Sequence, residues 1–192
     1  MKLGVTAWKI TYEKDGMNLG MQAQIAEKLG FDSFWLPENH FSGAFAIPSP
    51  LMLLANVASV TNRIKLGSTS YLLPIRNPIL AAEEVAVLDQ LSNGRVILGI
   101  GRGFQNDMFK AFEVPTSEKR KIFKKNLDLM ISAWLGEPIS ILEDKEILLS
   151  PLPVQKPFPT IWIAAFGPLA LKQADDLGLP YLASPVETFN SL

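Results

Sequence analysis

The chain has 192 residues, 48% of them hydrophobic, and sets 18 basic side chains against 19 acidic ones for a formal charge of −1. A chain of this length buries roughly 70% of the surface its unfolded form exposes, so one globular domain over 1–192 is expected. It contains no Cys, which excludes disulfides and thiolate catalysis. Without a basic excess, nucleic acid is not an expected partner. The apolar stretch from Pro48 to Val60 is broken by Pro50, Asn56 and Ser59 and falls short of the ~18 residues of a membrane span. The start MKLGVTAW turns polar too soon for a secretory signal, and the expected location is the cytoplasm, with no membrane partner. With one His and no Cys, no metal site of the zinc type is expected.

In chain order, β-type runs fall at Leu3–Trp8, Ser33–Pro37, Ile64–Leu73, Arg95–Gly101, Thr160–Ala165 and Pro180–Ser184. Several are continuously apolar, as strands covered on both faces must be, which points to parallel pairing. Between them lie helical patterns. Asn18–Gly30 spaces Leu19, Ala23, Ala26 and Leu29 on one stripe, with Gly30 at the C-terminal cap. The run LMLLANVAS after Pro48 is apolar on nearly every side and suits a subunit contact. Pro78 opens ILAAEEVAVLDQLS, and a fourth helix from Ser117 aligns Phe123, Leu127, Met130 and Trp134. Between Ile139 and Ser150 a short hairpin is expected, turning through Glu143, Asp144 and Lys145, before the irregular connector PLPVQKPFP.

The first four strands begin about 31 residues apart, the length of one βα unit, and their alternation with helices defines an α/β fold. A doubly wound sheet carries its phosphate-binding glycines after the first strand, and GVTAWKITYEK offers none. A TIM (β/α)8-type barrel is therefore expected. Six βα units are visible against the ~250 residues typical of a complete barrel, so the expected form is a barrel truncated after about six units and incomplete at the C-terminus.

Four segments could carry chemistry. At the end of the second strand, WLPENHF sets Glu38, Asn39 and His40 at the rim where barrel enzymes hold their active sites. His40 suits proton transfer, or equally a structural role holding the loop. At the end of the third strand, Gly67, Ser68, Thr69 and Ser70 leave room for a flat ligand against the backbone, or mark only a bulge. After the fourth strand, GIGRGFQND combines close backbone approach with Arg102, whose guanidinium bonds phosphate in a bidentate way. It does not match a dinucleotide-binding fingerprint. Arg102 and Arg120 could also be ordinary surface cations. Where the fifth strand turns into a helix, Gly167 and Pro168 sit at a helix start, the positive end of the dipole.

Taken in this order, the segments LGFDSFWLPENHF, IKLGSTSYLLPIRNPILAAEEVAVLDQLSNGRVILGIGRGF and PLPVQKPFPTIWIAA resemble the luciferase-like flavin monooxygenases, the bacterial luciferase superfamily. The resemblance runs over essentially the whole chain and is most specific from Ile64 to Phe104. It implies a TIM barrel, dimeric through helices two and three, that binds reduced FMN or the deazaflavin F420. It also implies a non-prolyl cis peptide at the end of the third strand, here between Thr69 and Ser70. Arg102 and Arg120 match positions near the flavin phosphate, and Gly167 with Pro168 matches the phosphate-side loop.

Some residues depart from bacterial luciferase. Asn39 stands at the first of its two adjacent histidines and His40 at the second, Gly101 stands at its reactive cysteine, and Gly167 and Ala170 replace hydroxyl residues. The function implied is a monooxygenase that uses dioxygen and reduced FMN, supplied by a separate flavin reductase, to oxidise a small organic substrate. His40, Asn39 and Glu38 would form the catalytic set, and Thr69, Ser70, Arg102, Arg120, Gly167 and Pro168 would hold the cofactor. The alternatives are F420-dependent hydride transfer and a non-catalytic flavin-binding protein, and the expected assembly is a homodimer.

Overall fold

A computed structural model describes residues 1–10, 18–143, 145–165 and 167–183. Strand β1 (Gly4–Thr6) leads to helix α1 (Leu19–Lys28), followed by β2 (Ser33–Leu36), α2 (Pro50–Val60), β3 (Lys65–Ser68), β4 (Tyr71–Leu72) and α3 (Pro78–Leu91). Next come β5 (Val96–Gly101), α4 (Asn106–Ala111), α5 (Lys119–Trp134), the strands β6 (Ser140–Leu142) and β7 (Lys145–Ile147), then β8 (Thr160–Ala164), α6 (Pro168–Asp176) and β9 (Tyr181–Leu182). The main sheet runs β1-β2-β3-β5-β8-β9, every pairing parallel, with β4 continuing past β3 along the edge of β5. Because neighbours in space follow chain order, the sheet has no switch point. That excludes a doubly wound arrangement and defines a curled, singly wound half-barrel, in agreement with the barrel expectation.

Local chemistry accounts for the helix limits. Asn18 caps α1 through its side-chain oxygen, which accepts the Met21 N–H at 3.1 Å. Asn77 does the same for Ile79 and Leu80 ahead of Pro78, the residue suited to a first helical position. The outward side chains of the strands, Phe34, Leu36, Leu66, Leu98, Ile100, Ile161 and Ile163, share one buried cluster with α1, α2, α3 and α5. Each such side chain contributes about 1.5–3 kcal/mol on burial. The opposite, concave face holds Trp35 and Trp162, whose ring centroids lie 5.7 Å apart.

The expected third strand, Ile64–Leu73, is two pieces. It breaks at a cis peptide between Thr69 and Ser70, and Leu73 opens a 3₁₀ turn, Leu73–Ile75, that was not anticipated. Helix α4 also escaped the sequence reading, because only six residues form it and no apolar period develops. The hairpin is present, with Leu142 paired to Lys145, so Lys145 belongs to a strand rather than to the turn. Asp144 lies outside the described residues, as does Ser184 of the expected sixth strand. No helix among the described residues is long and apolar enough to cross a membrane.

The N-terminal ends of the strands are tied by buried charge and by carboxylates. The buried Arg95 donates to the carbonyls of Ala58, Thr61, Ile64 and Ser92 at 2.7–3.1 Å, satisfying the exposed end of α2. Asp32 accepts the Leu3 N–H at 2.7 Å, and Asp89 accepts the Gln155 N–H at 2.9 Å. Glu27 reaches from α1 to accept the N–H groups of Asn62, Arg63 and Ile64. Burial by itself would raise the Glu27 carboxyl, but these three bonds, with the Arg63 charge, hold it below the usual carboxylate range.

A carboxyl lowered in the folded state stabilises the fold fully above its unfolded pKa, near ~4.3, and this contribution disappears as the pH falls through the folded value. Glu27→Gln is therefore expected to lower the urea midpoint at pH 7, with the gap to the wild type closing as the pH is brought below about 4. Chemical denaturation at a series of pH values measures it.

Candidate active site

A cleft of about 620 Å³ opens at the C-terminal rim of the half-barrel, within the range of small-molecule and cofactor sites. Every main strand contributes to its wall: Thr6 from β1, Pro37 to His40 after β2, Thr69 and Ser70 after β3, Gly101 to Gln105 at and after β5, Ala164 from β8, and Leu182 and Ala183 from β9. Of the residues singled out in the sequence, Glu38, Asn39, His40, Thr69, Ser70, Arg102 and Arg120 line this one cleft. Gly167 and Pro168 are not part of its wall. Their helix α6 presents Ala170 to it instead.

At one side of the cleft, Glu38 is the organising group. Its side chain is fully buried. Oε1 accepts from Nε2 of His40 and from a guanidinium N–H of Arg76, both at 2.8 Å, and Oε2 accepts the Leu72 N–H at 2.9 Å. A carboxylate can only accept from its neighbours, so an ionised Glu38 takes this bond from an Nε2–H of His40, and Nδ1 is the ring nitrogen left over. The ring is packed edge-on against Phe112, with centroids 5.0 Å apart. Asn39 has a different job. Its side-chain oxygen and its backbone carbonyl both accept the Ile47 N–H, closing the loop 39–47.

The floor between β3 and β5 is built by close backbone approach. A Cβ on Gly99 would lie 2.0 Å from the Ser68 carbonyl oxygen, and one on Gly101 would lie 2.1 Å from Oγ of Ser70. The two glycines of this strand are thus required first by its neighbour. Gly67 likewise leaves room, but for the Trp35 indole, which a Cβ there would meet at 2.1 Å. The clearance for a flat ligand that the sequence suggests at Gly67 and Ser68 is filled by protein: Ser68 is buried and donates to the Gly99 carbonyl at 2.9 Å. Thr69 and Ser70 are the members of that run that reach the cleft.

At the other side three cations converge. Arg102 follows β5 and donates to Gln173 of α6 at 2.8 Å. Lys119 and Arg120 open α5, with Lys119 donating to the Gly103 carbonyl at 3.2 Å. Burial and the Arg120 charge lower the Arg102 pKa, while burial, Arg102 and Arg120 lower that of Lys119. Among the described residues no carboxylate forms an ion pair with any of the three. Unpaired cations that repel one another are matched by an anion with several acceptor oxygens, such as a phosphate. The residues present therefore fit a planar ring with a phosphate tail: a small-residue floor in the middle, a cationic group at one end and a histidine at the other.

Sequence reasoning missed Lys119 and Arg76. The adjacent pair Lys119–Arg120 was a readable signal for the first, whereas Arg76 sits in the irregular stretch LPIRNP, where nothing local announces a partner more than thirty residues away.

The fold is a parallel, singly wound α/β half-barrel with a cation-lined cleft at its C-terminal rim, the rim where barrel enzymes hold their active sites. The comparisons with known proteins narrow it. The family described as luciferase-like monooxygenase matches residues 4–191, and the chain belongs to that family. It is 28% identical over 172 residues to the alkanal monooxygenase alpha chain of the Kryptophanaron alfredi symbiont, covering 88% of this chain and 47% of that protein. It is 36% identical over 114 residues to limonene 1,2-monooxygenase of Rhodococcus erythropolis, covering 59% of this chain and 30% of that one. Among solved structures, the monooxygenase RslO1 of Streptomyces bottropensis superposes with a TM-score of 0.85 at 26% identity, covering 98% of this chain and 61% of that chain. The chain spans about half the length of the curated relatives it matches.

The contact between Gly101 and Ser70 makes a coupled prediction. Gly101→Ala is expected to cost about 1–3 kcal/mol, as overpacking does. Adding Ser70→Gly removes the atoms the new methyl meets and restores a large part of that loss, so the two changes are non-additive. A double-mutant cycle by thermal or urea denaturation reads the coupling.

Proposed function

We propose that the chain is the cofactor-binding barrel domain, residues 1–192, of a cytoplasmic flavin-dependent monooxygenase that uses reduced FMN and dioxygen to oxidise a small organic substrate. The observation that carries this reading is the meeting of three unpaired cations and the Glu38–His40 pair across one rim cleft. The names of its relatives support the reaction class.

In this reading Arg102, Lys119 and Arg120 hold the phosphate, and Thr69, Ser70 and Gly101 form the surface against which the ring lies. When bound, the flavin supplies the electrons that activate dioxygen. The rest is the work of this chain. Cations of one sign in a partly closed cleft attract and orient a dianion before contact. Glu38 fixes the His40 ring so that Nδ1 accepts a proton or a hydrogen bond from a group in the cleft, and Asn39 keeps the loop behind it in place. Phe41 and Phe104, both exposed, flank this region and suit an uncharged organic substrate. A separate reductase supplies the reduced flavin.

Fluorescence titration with FMN, riboflavin and F420 tests the reading. FMN is expected to bind more tightly than riboflavin, and Arg102→Gln to weaken FMN by about tenfold or more while leaving riboflavin unchanged. Binding of F420 without FMN would replace the monooxygenase with a hydride-transfer enzyme. Binding of FMN that yields only peroxide across aldehydes and ketones would leave a flavin carrier.

We also propose a homodimer through α2 and α3. A groove of about 440 Å³ runs between them, lined by Met52, Leu80, Val87 and Leu91 among others, all four exposed. Leu80→Asp is expected to convert the dimer to a monomer in sedimentation velocity.

A further inference from the structure

Resting on the reading of His40 as the proton-handling group, we propose that Arg76 is a positioning residue that sets how tightly His40 holds its proton, by sharing with it one oxygen of Glu38. Oε1 of Glu38 accepts from both residues at 2.8 Å, so the two nitrogens lie no further apart than twice that distance. Oε2 is taken by the Leu72 N–H, and the carboxylate has no exposure through which water could spread its charge. Arg76 and His40 therefore compete for one buried negative charge. A guanidinium on that oxygen weakens the field that would otherwise favour the imidazolium.

Arg76 is held in this competition by its surroundings. Its guanidinium lies 3.8 Å from the Tyr71 ring centroid and donates to the Leu72 carbonyl at 2.8 Å. Tyr71 is anchored in turn by donating to Glu84 at 2.9 Å, and Asn126 donates to the Arg76 backbone carbonyl at 3.1 Å. Arg76 does not line the rim cleft. It lies on the wall of the groove between α2 and α3, so it reaches the chemistry only through Glu38. The other charges around the imidazole are Arg102, Lys119 and Arg120 across the cleft. Asp107 and Lys110 of α4, and Glu113 after it, are exposed residues flanking the segment that carries Phe112. Among the described residues none of these bonds to His40 or Glu38, and all remain in place in the variants below.

His40 is the only histidine of the chain, so its ring protons give a single titrating NMR signal in the flavin-free protein. Arg76→Gln is expected to raise the titration midpoint by about one pH unit. Arg76→Lys keeps the charge and is expected to stay close to the wild type, a rescue that loss of packing alone would not produce. A folded Arg76→Gln protein with an unmoved midpoint, or an equal rise in both variants, overturns the proposal. Where Arg76→Gln does not fold, Glu38→Gln decides. Loss of the shared carboxylate lowers the midpoint by about one pH unit if the coupling runs through it, and an unmoved midpoint overturns it. No flavin enters the measurement, so failure here and failure of FMN binding are separate results.

Discussion

One buried carboxylate holds one side of the rim cleft together. Glu38 takes hydrogen bonds from β4, from the stretch before α3 and from its own loop, and its side chain is fully buried. An ionised group so placed is tolerable only because a guanidinium, an imidazole and a backbone N–H surround it. The same requirement fixes the chain path after β3: Leu72 must present its N–H, and Arg76 must return to the same spot four residues later. The position of His40 and the course of the third βα connection are two results of one electrostatic demand.

The rim cleft combines that side with a cationic one of opposite construction. There no carboxylate among the described residues pairs with the charges. Arg102 is oriented by an uncharged amide of α6 and Lys119 by a carbonyl, contacts that hold geometry without neutralising charge. Between the two sides lies a floor where β3 and β5 approach so closely that Gly99 and Gly101 are needed. The cleft of this luciferase-like monooxygenase family member thus has three parts: a small-residue floor, a cationic side and a side built on the Glu38–His40 pair.

Much of this was readable in the residues. The β-runs at about 31-residue intervals and the absence of a glycine loop after the first strand led to a truncated barrel, and the polar triplet after the second strand put Glu38, Asn39 and His40 at its rim; Arg102 and Arg120 were singled out by the family resemblance. What escaped was long-range. Glu38 reads as a polar rim residue beside His40 until its other partners are known, and they come from Leu72 and Arg76. Gly67 reads as clearance for a ligand until Trp35 is seen to fill it. Helix α4 has too few residues to show a period. In each case the deciding contact joins residues on different strands or connections, and no local pattern encodes which distant atom will arrive.

The two ends of the half-barrel are fastened by different chemistry. At the base, carboxylates of Asp32, Asp89 and Glu27 clasp backbone amides beside three strands, and the fastening at Glu27 is one that protons undo. At the opposite end the unpaired cations are strained by one another and eased by any anion that settles among them. Acid thus loosens the foundation at Glu27 while leaving the crown charged, and the crown carries its own strain apart from the foundation. The molecule has two independent points of failure, set by which residues evolution put below the sheet and which above it.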